Sequence, residues 1–190
     1  MGHSQASKES THDRIVEIAA ERFCELGIDG LSIANLMKDA GLTHGGFYKH
    51  FASRDELVEE ALARAFKRSE APPRATQVTF KSLVSEYLSD SHRDAVGTGC
   101  AIGALVNDVG RLQGEAKDLY TQKVKANLRG ISRLIGQSEK QAVSADAMVA
   151  FCAMVGALGL SRAVSDEELS KEILSAVSQF LLHSFSPDET

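Results

Sequence analysis

The sequence predicts an all-α protein, and three observations carry that expectation. Apolar residues recur at steps of three and four along most of the chain, without a sustained apolar/polar alternation. Leu, Ala, Glu, Lys and Arg are plentiful, whereas Pro occurs 3 times in 190 residues and Trp is absent, a composition that suits helices. The breaks between apolar stretches are built from Gly, Ser, Thr and Pro placed where helices open and close. With 43% hydrophobic and 25% charged residues, the chain can bury a real core and is not a disordered or fibrous sequence.

The first residues, MGHSQASKES, are polar and lack a period, so residues 1–9 read as a flexible leader. From Ser10 onward Ile15, Ile18, Ala19, Phe23 and Leu26 share one helical face. Ser10 with Asp13 supplies a capping signal, and Gly27 supplies a stop. A second, short helix opens at Ser32, carries Ile33, Leu36 and Met37 on one face, and ends at Gly41. Thr43 caps a third that runs through His50, and Ser53 to Glu56 reads as a capping box for a fourth, ending near Glu70 before Pro72 and Pro73. Beyond the prolines come apolar stripes at Phe80, Leu83, Val84, Tyr87 and Leu88, then Ala101 to Val109, then Leu119, Val124, Leu128, Ile131, Leu134 and Ile135. The expected organisation is 1–9 leader, 10–54 helix-turn-helix domain, 55–73 connecting helix and linker, and 74–190 a C-terminal helical domain.

Met148 to Leu160 is apolar all the way round and must be covered on every side. The final helix, from Asp166, offers a partner face. Either the apolar helix is central in a monomeric core, or a second copy completes a four-helix bundle. The pattern favours the dimer, with Met148, Phe151, Ala153, Gly156, Ala157, Leu160, Ile173, Val177, Phe180 and Leu181 at its interface. The uncharged run is too short to span a bilayer, and no signal peptide or lipidation motif precedes it, so no membrane partner is expected.

A net charge of −5 excludes a generally polybasic nucleic-acid coat but not a local patch. Residues 31–54, LSIANLMKDAGLTHGGFYKHFASR, hold Lys38, Lys49 and Arg54 against Asp39, a balance of +2 that leaves −7 elsewhere. Two short helices around the tight turn Ala40-Gly41-Leu42 have helix-turn-helix geometry. Cys24, Cys100 and Cys152 form no C-x-x-C pair, which suits a reducing cytosol. No G-x-S-x-G, P-loop or H-E-x-x-H occurs, and Glu9 to His12, the one Glu-x-x-His pair, lies in the leader. Catalysis, cofactors and metal binding are not expected; His92 and His183 lack a second ligand at helical spacing and read as surface or core residues.

On these residues the segment GLTHGGFYKHFASRDELVEEAL resembles the DNA-binding region of the TetR family of bacterial transcriptional repressors. The likeness runs from Ile15, Ala19 and Phe23 through Gly27 to Ser32, Leu36 and Ala40-Gly41, to Phe47-Tyr48, Phe51 and Leu57. It implies a cytoplasmic, all-helical, TetR-like homodimer that binds double-stranded operator DNA and is released by a small molecule held in the C-terminal domain. It also implies roles residue by residue. Thr43, His44, Gly45 and Gly46 open the recognition helix, where base edges are touched. Tyr48 and His50 match phosphate-contacting positions, Lys49 reaches backbone or base, and Ser32 and Arg54 meet phosphate. Phe47, Phe51, Leu36 and Ile33 belong to the core. Gly45 and Gly46 either permit close approach to the groove or mark a helix that starts late.

The effector expected is a hydrophobic or aromatic small molecule, in a pocket drawn from Phe80, Leu83, Tyr87, Cys100, Leu105, Asn107, Leu119, Tyr120, Val124 and Phe151, with Tyr87, Tyr120 or Asn107 as polar handles. Cys100 follows Gly97-Thr98-Gly99 at a helix start, either as a thiol sensor of oxidants or electrophiles or as a small packing residue. A helix-turn-helix adaptor without an effector is the remaining alternative.

Overall fold

The computed structural model of the chain describes residues 2–68, 78–136 and 143–185, with side chains from residue 7 onward. Among these residues there are helices and no strand: α1 Gly2–Leu26, α2 Ile33–Asp39, a 3₁₀ helix His44–Lys49, α3 Arg54–Arg68, α4 Phe80–Tyr87, α5 Asp90–Asp94, α6 Ala101–Arg111, α7 Glu115–Leu134, α8 Ala145–Ala163 and α9 Glu167–Phe185. They form two compact units, Met1–Ala71 with Val96–Thr121, and Pro72–Ala95 with Gln122–Thr190. Residues 96–121, expected within the C-terminal domain, thus pack with the N-terminal helices. The expected end of the fourth helix near Glu70 and the double proline after it lie outside the described residues.

In the first unit α1 begins at Gly2, so the expected flexible leader is helical. Gln5, Ala6, Lys8 and Glu9 are good helix formers with no proline among them, and the capping signal at Ser10 is passed through, with the Thr11 hydroxyl donating to the Ser7 carbonyl at 2.9 Å within the helix. The other end is as expected: Gly27 takes φ +78° and stops the helix. Ile15, Ala19 and Phe23 are fully buried, with α1 packed on α3, whose buried face is Leu57, Val58, Ala61, Leu62, Ala65 and Phe66. Arg64 pairs with Asp13 at 2.8 Å and Glu17 at 3.0 Å, and Arg68 with Glu17 and Glu21. These pairs are half-exposed and contribute at most about 1 kcal/mol each, so they orient α3 on α1 while the apolar face holds it.

The Ser32 hydroxyl caps α2 by accepting from the Asn35 amide at 3.1 Å, and Gly41 at φ +69° turns the chain out of it. In α6, Cys100 is the N-cap, its Sγ accepting from the Gly103 amide at 3.5 Å. Ala101, Ile102, Leu105 and Val109 are buried where α6 meets α1 and α3.

In the second unit α8 and α9 are joined by a short connection and pack along their length. Ala147, Ala150, Phe151, Met154, Ala157, Leu158 and Ser161 of α8 are buried, as are Ser170, Leu174 and Leu181 of α9. Phe80 of α4 meets Phe185 edge-on at 6.4 Å. The one-turn α5, capped by Ser89, was not separable from the α4 stripe by sequence. It is held by Arg162, which donates to the carbonyls of His92 and Arg93 at 2.8 Å each. Within one chain α8 is buried on one side only: Met148, Val149 and Leu160 remain 46%, 53% and 59% exposed. By length and composition its 19 residues suffice to cross a membrane, which the shorter uncharged run does not.

The α1–α2 loop is tight at Gly30, where an added Cβ would lie 2.0 Å from the Leu26 carbonyl oxygen. Gly41 has open space around it and only its positive φ to satisfy. Gly41→Ala should therefore cost about 1–2 kcal/mol, and Gly30→Ala more, because backbone must move. Urea melts of the two variants test this ranking; equal midpoints would contradict it.

Candidate nucleic-acid interface

The site is set by the segment FYKHF. Phe47 and Phe51, four residues apart, are 0% and 1% exposed and stack at 5.2 Å. Tyr48, between them, is 66% exposed and touches Phe47 edge-on. Burying the phenylalanines turns Tyr48 and Lys49 outward, next to exposed His44 and Gly45 at the start of the same turn. The exposed Ser32 at the head of α2 adds a helix N-terminus, where backbone amides favour an anion. An outward row of hydroxyl, ammonium, imidazole and helix-end donors is the equipment for phosphate and base-edge contacts.

The third helix differs from expectation in form. Residues His44–Lys49 are 3₁₀ rather than α, and Thr43 sits at the N-cap without a side-chain cap bond. Two successive glycines lower helix propensity by about 1 kcal/mol each, and a short 3₁₀ turn forms instead. Of the four expected core residues, Leu36, Phe47 and Phe51 are buried, whereas Ile33 is only half-buried. Arg54, expected at phosphate, is half-buried and donates from Nη2 to the Ile28 carbonyl.

His50 closes the turn in a half-buried position, and its Nδ1 is buried with no hydrogen-bond partner among the described residues. Burial lowers its pKa first, followed by the nearby His12, Lys8 and Lys49. His12 stacks on Phe51 at 4.5 Å, and its Nε2 lies 2.7 Å from Glu60. Sequence reasoning missed Lys8 because it read α1 as starting at Ser10, and it read His12 only as part of a Glu-x-x-His pair. Their i, i+4 spacing was the available signal.

The residues expected around an effector fall into both units and are described within each. In the first, Leu105 is buried, Cys100 and Leu119 are half-buried, and Asn107 is exposed. The Tyr120 hydroxyl donates to the Ile102 carbonyl at 3.0 Å, and burial, aided by Cys100, pushes its pKa up to about 12; it is committed to a structural bond. In the second, Phe80 and Phe151 are buried, Leu83 and Val124 are half-buried, and Tyr87 meets His92 edge-on at 4.8 Å. The expected dimer residues separate likewise. Phe151, Ala157 and Leu181 face their own core, Ala153, Ile173 and Val177 are half-buried, and Met148, Gly156, Leu160 and Phe180 lie at the surface.

Residues 15–61 match the family model of bacterial regulatory proteins, tetR family. Over 53 residues the chain is 36% identical to the HTH-type transcriptional repressor KstR2 of Mycobacterium tuberculosis, a stretch covering 28% of this chain and 26% of that protein. The chain thus spans about a quarter of the length of the curated relatives it matches. Its fold is similar to a TetR transcriptional regulator from Chloroflexus aurantiacus, with TM-score 0.77, 18% identity, and coverage of 94% of this chain and 97% of that one. It is also similar to AibR, solved with isovaleryl coenzyme A and operator DNA, with TM-score 0.67, 16% identity, and coverage of 93% and 99%.

A depressed His50 pKa makes a proton-linked prediction. The folded state binds fewer protons than the unfolded state below the ordinary value of 6.5, so stability falls as pH drops through 6.5 and levels off below the lowered folded value. Between about pH 7.5 and pH 5.5 the wild type should lose more stability than His50→Gln. Urea midpoints at the two pH values decide it; identical losses would remove His50 from the linkage.

Proposed function

Since the chain carries, at residues 15–61, the N-terminal segment of the tetR family of bacterial regulatory proteins, we propose that it is a DNA-binding transcriptional repressor. The observation that carries this reading is the inside-out split of FYKHF, which buries two aromatics in the core and leaves Tyr48 and Lys49 exposed. The 3₁₀ turn enters the major groove, with His44 and Gly45 leading toward base edges. Tyr48, Lys49 and His50 line one phosphate strand, and the Ser32 end of α2 meets another.

The protein works as a homodimer on a palindromic operator in the bacterial cytoplasm, with half-sites about 34–36 Å apart. The exposed face of α8, with Met148, Val149, Gly156 and Leu160, and Phe180 of α9, 61% exposed, form the surface that a second copy covers. A hydrophobic or aromatic effector acts by binding better to the state that does not hold DNA. A protein of similar fold is solved with isovaleryl coenzyme A and operator DNA, which supports a small-molecule ligand for this chain.

Anisotropy titration against the DNA upstream of the protein's own gene tests the reading. Tyr48→Ala should weaken binding about ten-fold, equivalent to about 1.4 kcal/mol, and Lys49→Ala should reduce the salt slope by about one. Variants that bind as the wild type would move the recognition element elsewhere. Phe180→Asp should sediment as a monomer and bind a palindromic fragment far more weakly; an unchanged dimer would exclude this face.

A further inference from the structure

Ile28 is held on both sides of its own backbone by residues distant in sequence. Its amide donates to Asp108 Oδ1 of α6 at 3.2 Å, across 80 residues. Its carbonyl accepts from Arg54 Nη2, at the head of α3. The Ile28 side chain is buried, and Gly27, at φ +78°, passes so close that a Cβ there would lie 3.1 Å from Asp108 Oδ1. Asp108 is itself mostly buried, its side chain 15% exposed, and its second partner is the exposed Arg111 at 3.3 Å.

We propose that Asp108 and Arg54 are positioning residues for DNA binding, clamping the Ile28 backbone between α6 and the head of α3 so that the α2–3₁₀ pair is held in its groove-reading geometry. The inference rests on the DNA-binding reading for its consequence, but the clamp itself is a property of the first unit. Its logic follows from connectivity. The loop 27–31 launches α2 from Ser32, and Arg54 stands four residues beyond His50. One residue, through the two peptide groups that flank it, therefore fixes both ends of the segment that carries the DNA-facing side chains. With its charge-assisted bonds partly shielded from water, the clamp is stronger than a surface ion pair. It also gives Arg54 a use that does not require DNA, where the family resemblance implies a phosphate contact.

Two readouts test it. In hydrogen exchange, Asp108→Ala should lower protection at Ile28 and also at Leu36, Ala40, His50 and Phe51, whose amides are bonded within α2 and the turn. Asp108→Asn, which keeps an acceptor, should restore it, and Arg111→Ala should change neither exchange nor binding. Asp108→Leu, of similar shape without an acceptor, serves if the alanine variant does not fold. Against the upstream fragment, Asp108→Ala and Arg54→Met should each weaken binding about ten-fold and the double variant scarcely more, because both act through Ile28. Additive losses, near a hundred-fold together, would make Arg54 an independent phosphate contact and overturn the clamp. So would exchange changes confined to Ile28. A wild type that binds no DNA while the exchange pattern holds would refute the DNA-binding reading and leave the clamp standing.

Discussion

The pairing of Phe47 and Phe51 fixes what the rest of the first unit can present. Stacked at 5.2 Å and buried to 1% exposure or less, the two rings anchor a segment too short and too glycine-rich to hold a helix on propensity alone. Large-to-small change at such a ring costs about 3–5 kcal/mol, more than the backbone bonds of one turn supply. Because the rings are four residues apart and both buried, Tyr48 and Lys49 face outward while His50 lies half-buried at the close of the turn. The outer surface is thus a consequence of core packing.

Much of this was readable in the sequence because it depends on local chemistry. Gly27 and Gly41 stop helices by adopting positive φ, and Ser32 caps α2 through its hydroxyl; each is decided within a few residues. What escaped is either local helix propensity that carries no apolar period or depends on partners distant in the chain. Residues 2–9 lack an apolar period, yet their helix-forming residues extend α1 to Gly2. Arg54 reads as a free cation, and its Ile28 carbonyl partner cannot be seen from either residue alone. The apolar circumference of α8 shows that it needs cover but not that its own chain covers only half.

Charge follows the same division. In the first unit Arg22, Arg64 and Arg68 are engaged by carboxylates of α1 and α2. Lys38 and Lys49, on the helix-turn-helix, make no ion pair among the described residues. An acidic protein can therefore offer net positive charge at one place, because Arg22, Arg64 and Arg68 are neutralised by carboxylates while Lys38 and Lys49 are left to solvent. Phosphate attraction depends on such uncompensated cations near the surface, not on the charge of the whole chain.

Gly45 and Gly46 can be separated on the same grounds. Neither has a positive φ, so backbone conformation does not demand glycine at either position. At Gly46 an added Cβ would come 3.4 Å from the Met37 side chain, an ordinary contact with a neighbour. At Gly45 it would meet nothing within 4 Å. Packing inside the chain therefore gives no reason for glycine at 45, and its helix propensity is a cost of about 1 kcal/mol. A glycine at an exposed turn with open space around it leaves room for what approaches from outside. On the DNA-binding reading that is the edge of a base pair, and the missing Cβ lets the backbone at the head of the recognition turn lie close against it.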